Sequence, residues 1–156
     1  MSKSLENMFS DNMESFFPFE RKPKLAVAVS GGADSLALTI LADNWVKKFC
    51  GSVIAITVDH SIRKESENEA KYVSCLLNDI EIEHRILKYL GAIPKTRIQE
   101  SARQYRYELL GKFCEDEKIL HLLVGHHSSD QKETYLMRKW SKSGFIGLAG
   151  MSAVRE

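Results

Sequence analysis

Residues Ser30-Gly31-Gly32-Ala33-Asp34-Ser35 stand between a short apolar run and a helical apolar pattern. Adjacent glycines let the backbone take positive φ and turn successive N–H groups toward one anion. A helix that starts just after them adds its unpaired first N–H groups and the positive end of its dipole. Ser30 and Ser35 can donate hydroxyl hydrogen bonds to phosphate oxygens. Asp34 is an acid beside a polyanion, which makes chemical sense chiefly with a cation such as Mg²⁺ between them. The alternative is that Asp34 only caps the helix. The loop lacks the Gly-Lys-Ser/Thr ending of one common phosphate loop and the third glycine of the dinucleotide fingerprint. Phosphate binding is the expectation for this segment.

Two further segments carry candidate chemistry. Asp59 and His60 directly follow the second apolar run. An acid there either accepts a hydrogen bond from a nucleotide or caps a turn. His60 is either a ligand contact or polar surface, and Arg63 either reaches a phosphate or solvates the loop. The segment Gly125-His126-His127-Ser128-Ser129-Asp130-Gln131-Lys132-Glu133-Thr134 places Asp130 and Glu133 three apart, on one face near a helix start. Such a pair can hold a hard cation or act as general base. The plainer account is that acids in a first turn offset the helix dipole, with Ser128 or Ser129 as cap.

The elements needed to position these segments alternate along the chain. Apolar runs at 25–29, 53–58 and 119–124 and an alternating stretch at 82–87 predict strands, and helical patterns at 34–49, 65–78, 98–117 and 129–140 separate or follow them. This order predicts an α/β fold: a doubly wound parallel sheet with right-handed crossovers, helices on both faces and a ligand crevice at the strands' carboxyl ends. All three candidate segments fall at such ends. Residues 1–22 read as an N-terminal extension, either a short helix lying on the domain or a frayed terminus. Leu90–Arg97, with Gly91 and Pro94, reads as a loop. The chemistry-bearing domain is expected over residues 23–156.

Composition sets outer limits. A chain of 156 residues, 44% of them hydrophobic, makes one ordinary domain with a sizeable core. Formal net charge is +1, so a nucleic-acid surface would have to be a local patch. Cys50, Cys75 and Cys114 are far apart and form no Cys-x-x-Cys pair, which favours a reducing cytoplasm over an iron–sulfur or zinc centre. Glu6, Asp11 and Glu14 interrupt any apolar run at the N-terminus, and no stretch is long enough to span a membrane. A soluble cytoplasmic protein with no membrane contact is expected. The ending Gly-Leu-Ala-Gly-Met-Ser-Ala-Val-Arg-Glu brings no closing element, which suggests a fragment truncated at its C-terminal side.

The Ser-Gly-Gly-x-Asp-Ser loop resembles the pyrophosphate loop of the N-type ATP pyrophosphatases, the PP-loop superfamily, with every position filled. Taken in order, AVSGGADS, TVDHSIR, ESARQYRY, GHHSSDQKET and SGFIGLAGM resemble the N-terminal catalytic domain of the bacterial tRNA(Ile)-lysidine synthetase family over about residues 24–156. The loop alone is shared with tRNA thiolases, GMP synthetases and asparagine synthetases; the last two motifs select the lysidine family.

The resemblance implies an adenine-nucleotide alpha-hydrolase-like, Rossmann-like domain and a ligase. ATP would adenylate the C2 carbonyl oxygen of the wobble cytidine in a CAU-anticodon tRNA(Ile), releasing pyrophosphate, and L-lysine would then displace AMP. By similarity the ATP-binding residues are Ser30, Gly31, Gly32, Ala33, Asp34, Ser35, Asp59, His60 and Gly125. Asp34, Asp130 and Glu133 would handle Mg²⁺. The catalytic set would be Asp34, Arg106, His126, Asp130 and Glu133, with His126 beside the adenylate and Arg106 on the adenylated base or tRNA. Arg103, Arg106 and Lys112, with Lys132, Arg138, Lys139 and Lys142, form basic faces that either meet phosphates or are solvated. Ser129 departs from the family, which usually has a second acid there. Oligomeric state is left open, a homodimer being one option. The other readings are a tRNA 2-thiolase-type PP-loop enzyme, which would want a cysteine near the crevice, and an adenine-nucleotide-binding module without chemistry.

Overall fold

A computed structural model describes residues 4–16, 18–59, 66–89 and 98–125. The elements run α1 (Leu5–Phe16), β1 (Lys24–Ala28), α2 (Ala33–Lys47), β2 (Ser52–Asp59), α3 (Ser66–Asp79), β3 (Glu83–Lys88), α4 (Ile98–Asp116) and β4 (His121–Val124). All belong to one compact unit, Met1–Val124. The four strands form one sheet in the order β3-β2-β1-β4, and every neighbouring pair is parallel. The α/β, parallel-sheet expectation holds, with strand and helix limits within a few residues of those read from the apolar pattern. The expected helix at 129–140 and loop at 90–97 lie outside the described residues.

The continuous apolar runs of β1 and β2 follow from their place at the centre of the sheet, where both faces are covered. Alternate residues serve opposite layers. Leu25, Val27, Val29, Val53 and Ala55 pack with Ala42, Trp45 and Val46 of α2 and Val73 and Leu77 of α3. Ala26, Ala28, Ile54 and Ile56 instead meet Leu110 and Cys114 of α4, together with Ile119. The chain moves outward from β1 through β2 to β3 with α2 and α3 on one face, then returns past β1 to β4 with α4 on the other. Right-handed crossovers require this exchange of faces when the direction of travel reverses. The edge strand β3 shows the alternation of a half-covered strand.

The N-terminal helix lies on the domain. Met13 is 2% exposed within the core, Phe9 packs beside it, and Asn44 of α2 donates to Glu6. Phe19 then stands edge-on to Trp45 at 4.8 Å and beside the His121 ring at 4.6 Å, and Glu20 meets His121 Nε2 at 3.1 Å. At the same end of the sheet Gly51 passes against Pro23: a Cβ there would stand 2.3 Å from the Pro23 carbonyl oxygen. Among the described residues no helix is long and apolar enough to cross a membrane.

One polar link ties β2, β3 and α3 together. His84 Nε2 lies 2.9 Å from Thr57 Oγ1, and its Nδ1 lies 2.6 Å from Ser74 Oγ. Burial pushes the imidazole pKa below its ordinary 6.5. The unfolded chain therefore takes up this proton first as pH falls. Stability conferred by neutral His84 is full above 6.5, declines as pH drops through that value, and levels off once the folded form is also protonated. Urea midpoints between about pH 8 and pH 5 are expected to fall more steeply for the parent protein than for His84→Gln.

Candidate functional site

β1 has β2 on one side and β4 on the other, although β2 and β4 are reached by connections running in opposite directions. That makes the carboxyl ends of β1 and β4 the topological switch point, where open α/β sheets bind ligands. Ala28 is level with both Ile56 and Val124, so the segments leaving β1, β2 and β4 emerge on the same edge. They are the glycine loop, Asp59, and Gly125 directly after Val124.

The glycine loop has the expected backbone. Gly31 takes φ +85°, a conformation that side-chain-bearing residues rarely adopt, and a Cβ there would also stand 3.2 Å from Val73 Cγ2 of α3. Gly32 caps α2 in extended geometry, with φ −73° and ψ 154°, and makes no side-chain cap hydrogen bond. Asp34 therefore is not the cap: it lies in the first turn of α2 and is exposed. Ser35 turns inward. It is buried, and its hydroxyl accepts the Ser30 N–H at 3.2 Å and donates to the Gly32 carbonyl at 2.9 Å. Ser35 thus braces the loop, whereas Ser30 is exposed. Ser30 through Asp34 all face solvent. The first N–H groups of a helix have no intrahelical acceptor, so an uncapped, exposed N-terminus is a ready donor set for an anion.

Asp59 ends β2 and is 5% exposed, and its carbonyl oxygen accepts the Tyr89 N–H at 3.0 Å. Thr57, Val58 and Asp59 of β2 continue the sheet past the last paired residue of β1 and carry this carboxylate to the edge from which the glycine loop departs.

Arg106 is placed by helix periodicity. Arg106, Leu110 and Cys114 recur every fourth residue on α4, and the latter two are buried against the sheet. Burying a leucine such as Leu110 contributes about 1.5–3 kcal/mol, which fixes the rotation of the helix. Arg106 continues that stripe by one turn toward the start of α4, which follows β3 and so lies toward the carboxyl edge. Among the described residues no carboxylate pairs with it. Burial lowers its guanidinium pKa, Tyr107 opposes this and the like charge of Arg103 adds to it. Arginine stays protonated throughout, so a half-buried cation here favours an incoming anion. Of the expected basic face, Arg103 and Lys112 are exposed on the same helix, Arg103 lying 5.7 Å over the Tyr107 ring.

His60, His126, Asp130 and Glu133 lie outside the described residues, as do Ser129, Arg63 and the basic residues from Lys132 onward. Among the described residues no three His, Cys, Asp or Glu side chains gather as a metal site. Mg²⁺, however, commonly takes only one or two carboxylates, its other ligands being water and substrate phosphates. Asp34, exposed beside the loop amides, suits that pattern. The three cysteines stand away from the carboxyl edge: Cys50 follows α2, Cys75 is in the second half of α3, and Cys114 is in the core, where burial pushes its thiol pKa up. Sequence reasoning missed Tyr89 and Tyr105, whose rings stack at 4.4 Å next in the chain to β3 and to Arg106. A pairing across an intervening loop leaves no periodic signal.

Comparison with known proteins adds three kinds of likeness. The family of PP-loop domains matches residues 2–156. A tRNA(Ile)-lysidine synthase of Orientia tsutsugamushi is 42% identical over 146 residues, covering 94% of this chain and 33% of the relative. One from Hyphomonas neptunium is 46% identical over 127 residues, covering 81% of this chain and 34% of the relative. The chain thus spans about a third of the length of these curated relatives. The solved U34-tRNA thiolase NcsA from Methanococcus maripaludis superposes with a TM-score of 0.74 at 21% identity, over 87% of this chain and 50% of that one. At that identity the likeness is one of fold.

Proposed function

Because this chain belongs to the PP-loop domain family, we propose that it is the nucleotide-handling part of an ATP-dependent ligase that joins L-lysine to the wobble cytidine of a CAU-anticodon tRNA(Ile). The observation that carries the reading is the uncapped, exposed start of α2 behind a positive-φ Gly31, at the switch point of a parallel sheet. Identity of 42% to a lysidine synthase across nearly the whole chain supports this substrate among the reactions a PP-loop serves.

In this reading the loop amides and the first N–H groups of α2 receive the phosphates of ATP, with the Ser30 hydroxyl beside them. Asp59 accepts a hydrogen bond from the nucleotide. The C2 oxygen of cytidine attacks the α-phosphorus, the bond to the β-phosphate oxygen breaks, and pyrophosphate leaves. Mg²⁺, held by Asp34 and the phosphates, with Asp130 and Glu133 as further ligands, would supply charge neutralisation for that leaving group. The lysine amine then attacks C2, loses its proton to Asp130 or Glu133, and AMP departs with the C2 oxygen. Arg106 holds the adenylated base through its guanidinium, and His126 stands beside the adenylate. Preorganised donors aimed at developing negative charge lower the barrier of such a reaction more than any other single feature of a site.

The distribution of ATP products tests this. With the intact protein, labelled ATP, Mg²⁺ and lysine, a CAU-anticodon isoleucine tRNA transcript is expected to elicit AMP and pyrophosphate in equal amounts, with little release in its absence. Formation of ADP and phosphate would contradict the PP-loop chemistry. Tight ATP binding with no tRNA-dependent turnover would support a binding module instead. The thiolase alternative wants a thiol at the carboxyl edge, where none of the three cysteines stands.

A further inference from the structure

Tyr89 is the first residue after β3, and it makes two connections at once. Its N–H donates to the Asp59 carbonyl oxygen at 3.0 Å, extending the β2–β3 pairing to the edge of the sheet. Its ring stacks on that of Tyr105 at 4.4 Å and 22°. Tyr105 directly precedes Arg106 on α4. A single residue therefore joins the strand end that carries Asp59 to the helical turn that carries Arg106.

The rest of α4 shows why such a joint matters. The helix is fixed to the sheet farther along by Leu110 and Cys114. One turn earlier the stripe that should bury an apolar residue carries Arg106, a cation that makes no apolar anchor. Arg103 over Tyr107 and Gln104 with Glu108 at 2.9 Å are contacts within the helix. The Tyr89–Tyr105 stack ties this end of α4 to the end of β3.

We infer that Tyr89 and Tyr105 are a positioning pair, which sets the first turns of α4 so that Arg106 faces the reacting base. The inference rests on the reading that puts Arg106 in the site, and it assigns neither tyrosine a contact with substrate. The stacked rings make the joint, and a hydrogen bond between the two hydroxyls adds to it.

The test is a double-mutant cycle in the intact protein, reading kcat, KM for ATP and thermal midpoint in the tRNA modification assay. Tyr105→Ala is expected to lower kcat roughly tenfold or more, as expected when a reacting group is misplaced by about 1 Å. KM for ATP should change by no more than about twofold, because the glycine loop is untouched. Tyr105→Phe, which keeps the stack and loses the hydrogen bond between the hydroxyls, should retain most of the parent kcat and far more than Tyr105→Ala. Arg106→Ala should be slow on its own, and adding Tyr105→Ala to it should cost little more, since the stack acts through Arg106. Losses that multiply, or a Tyr105→Ala enzyme as fast as the parent beside a slow Arg106→Ala enzyme, would overturn the positioning role. An Arg106→Ala enzyme with full activity would overturn the placement of Arg106 itself, and is thereby distinguished. If Tyr105→Ala does not fold, Tyr89→Ala and Tyr89→Phe make the same comparison from the other side of the stack.

Discussion

Replacement of Asp34 by asparagine is expected to slow lysidine formation by about a hundred- to a thousandfold, the range for losing one preorganised charge-stabilising group. The position of Asp34 is the reason. Gly32 occupies the capping position, so the carboxylate is not needed to start the helix, and its exposed place in the first turn puts it beside the amides that would receive phosphate. Its favourable interaction with the helix dipole is worth about 0.3–1 kcal/mol. Asn therefore should lower the thermal midpoint by no more than about 4 °C in a domain of this size. A large kinetic loss with a small thermal one, measured side by side, is the expected pattern. Parent-like kcat in Asp34→Asn would remove Asp34 from the chemistry.

The second large effect separates the two glycines. Gly31→Ala must hold an L side chain at φ +85° and push its Cβ to 3.2 Å from Val73 Cγ2, so the loop has to rebuild. The left-handed conformation alone costs about 1–2 kcal/mol, and affinity for an ATP analogue with Mg²⁺ should fall by tenfold or more, about 1.4 kcal/mol. Gly32→Ala differs: at φ −73° any residue is comfortable, and its Cβ would lie 3.7 Å from Ser30 Oγ, an ordinary contact. Glycine is a better N-cap than alanine, but neither the φ of residue 32 nor the space around it requires one. A ligand approaching the backbone closely does. Gly32→Ala should leave the thermal midpoint close to the parent's, since alanine's poorer capping is offset by its narrower unfolded ensemble, and still weaken analogue binding in calorimetry. Unchanged affinity in Gly32→Ala would mean that phosphate does not approach this backbone.

The layering of the fold could be read from the chain because central parallel strands must be apolar on both faces. Leu25–Val29 and Val53–Val58 stand out for that reason, and the long helical pattern that became α4 was visible in the same way. The turn at the glycine loop was legible because adjacent glycines stand between an apolar run and a helical pattern. Sequence could not tell that Ser35 would spend its hydroxyl on the Gly32 carbonyl, since the serines at the two ends of the loop look equally suited to a ligand. Nor could it give the strand order, which depends on where the chain reverses direction between β3 and β4. The Tyr89–Tyr105 stack and the Thr57–His84–Ser74 link were hidden for a common reason: each joins residues from different elements, by contacts that follow no period in the chain.

Lysine ligation is tested most directly by the fate of one nucleoside. The intact protein is incubated with ATP, Mg²⁺, L-lysine and a CAU-anticodon isoleucine tRNA transcript, and the wobble nucleoside is then released and weighed by mass spectrometry. The expected result is cytidine carrying one lysine in place of its C2 oxygen, absent when ATP or lysine is withheld and nearly absent in Asp34→Asn. An unmodified cytidine after AMP and pyrophosphate have been released, or a sulfur-bearing product, would contradict lysine ligation and assign the PP-loop another acceptor.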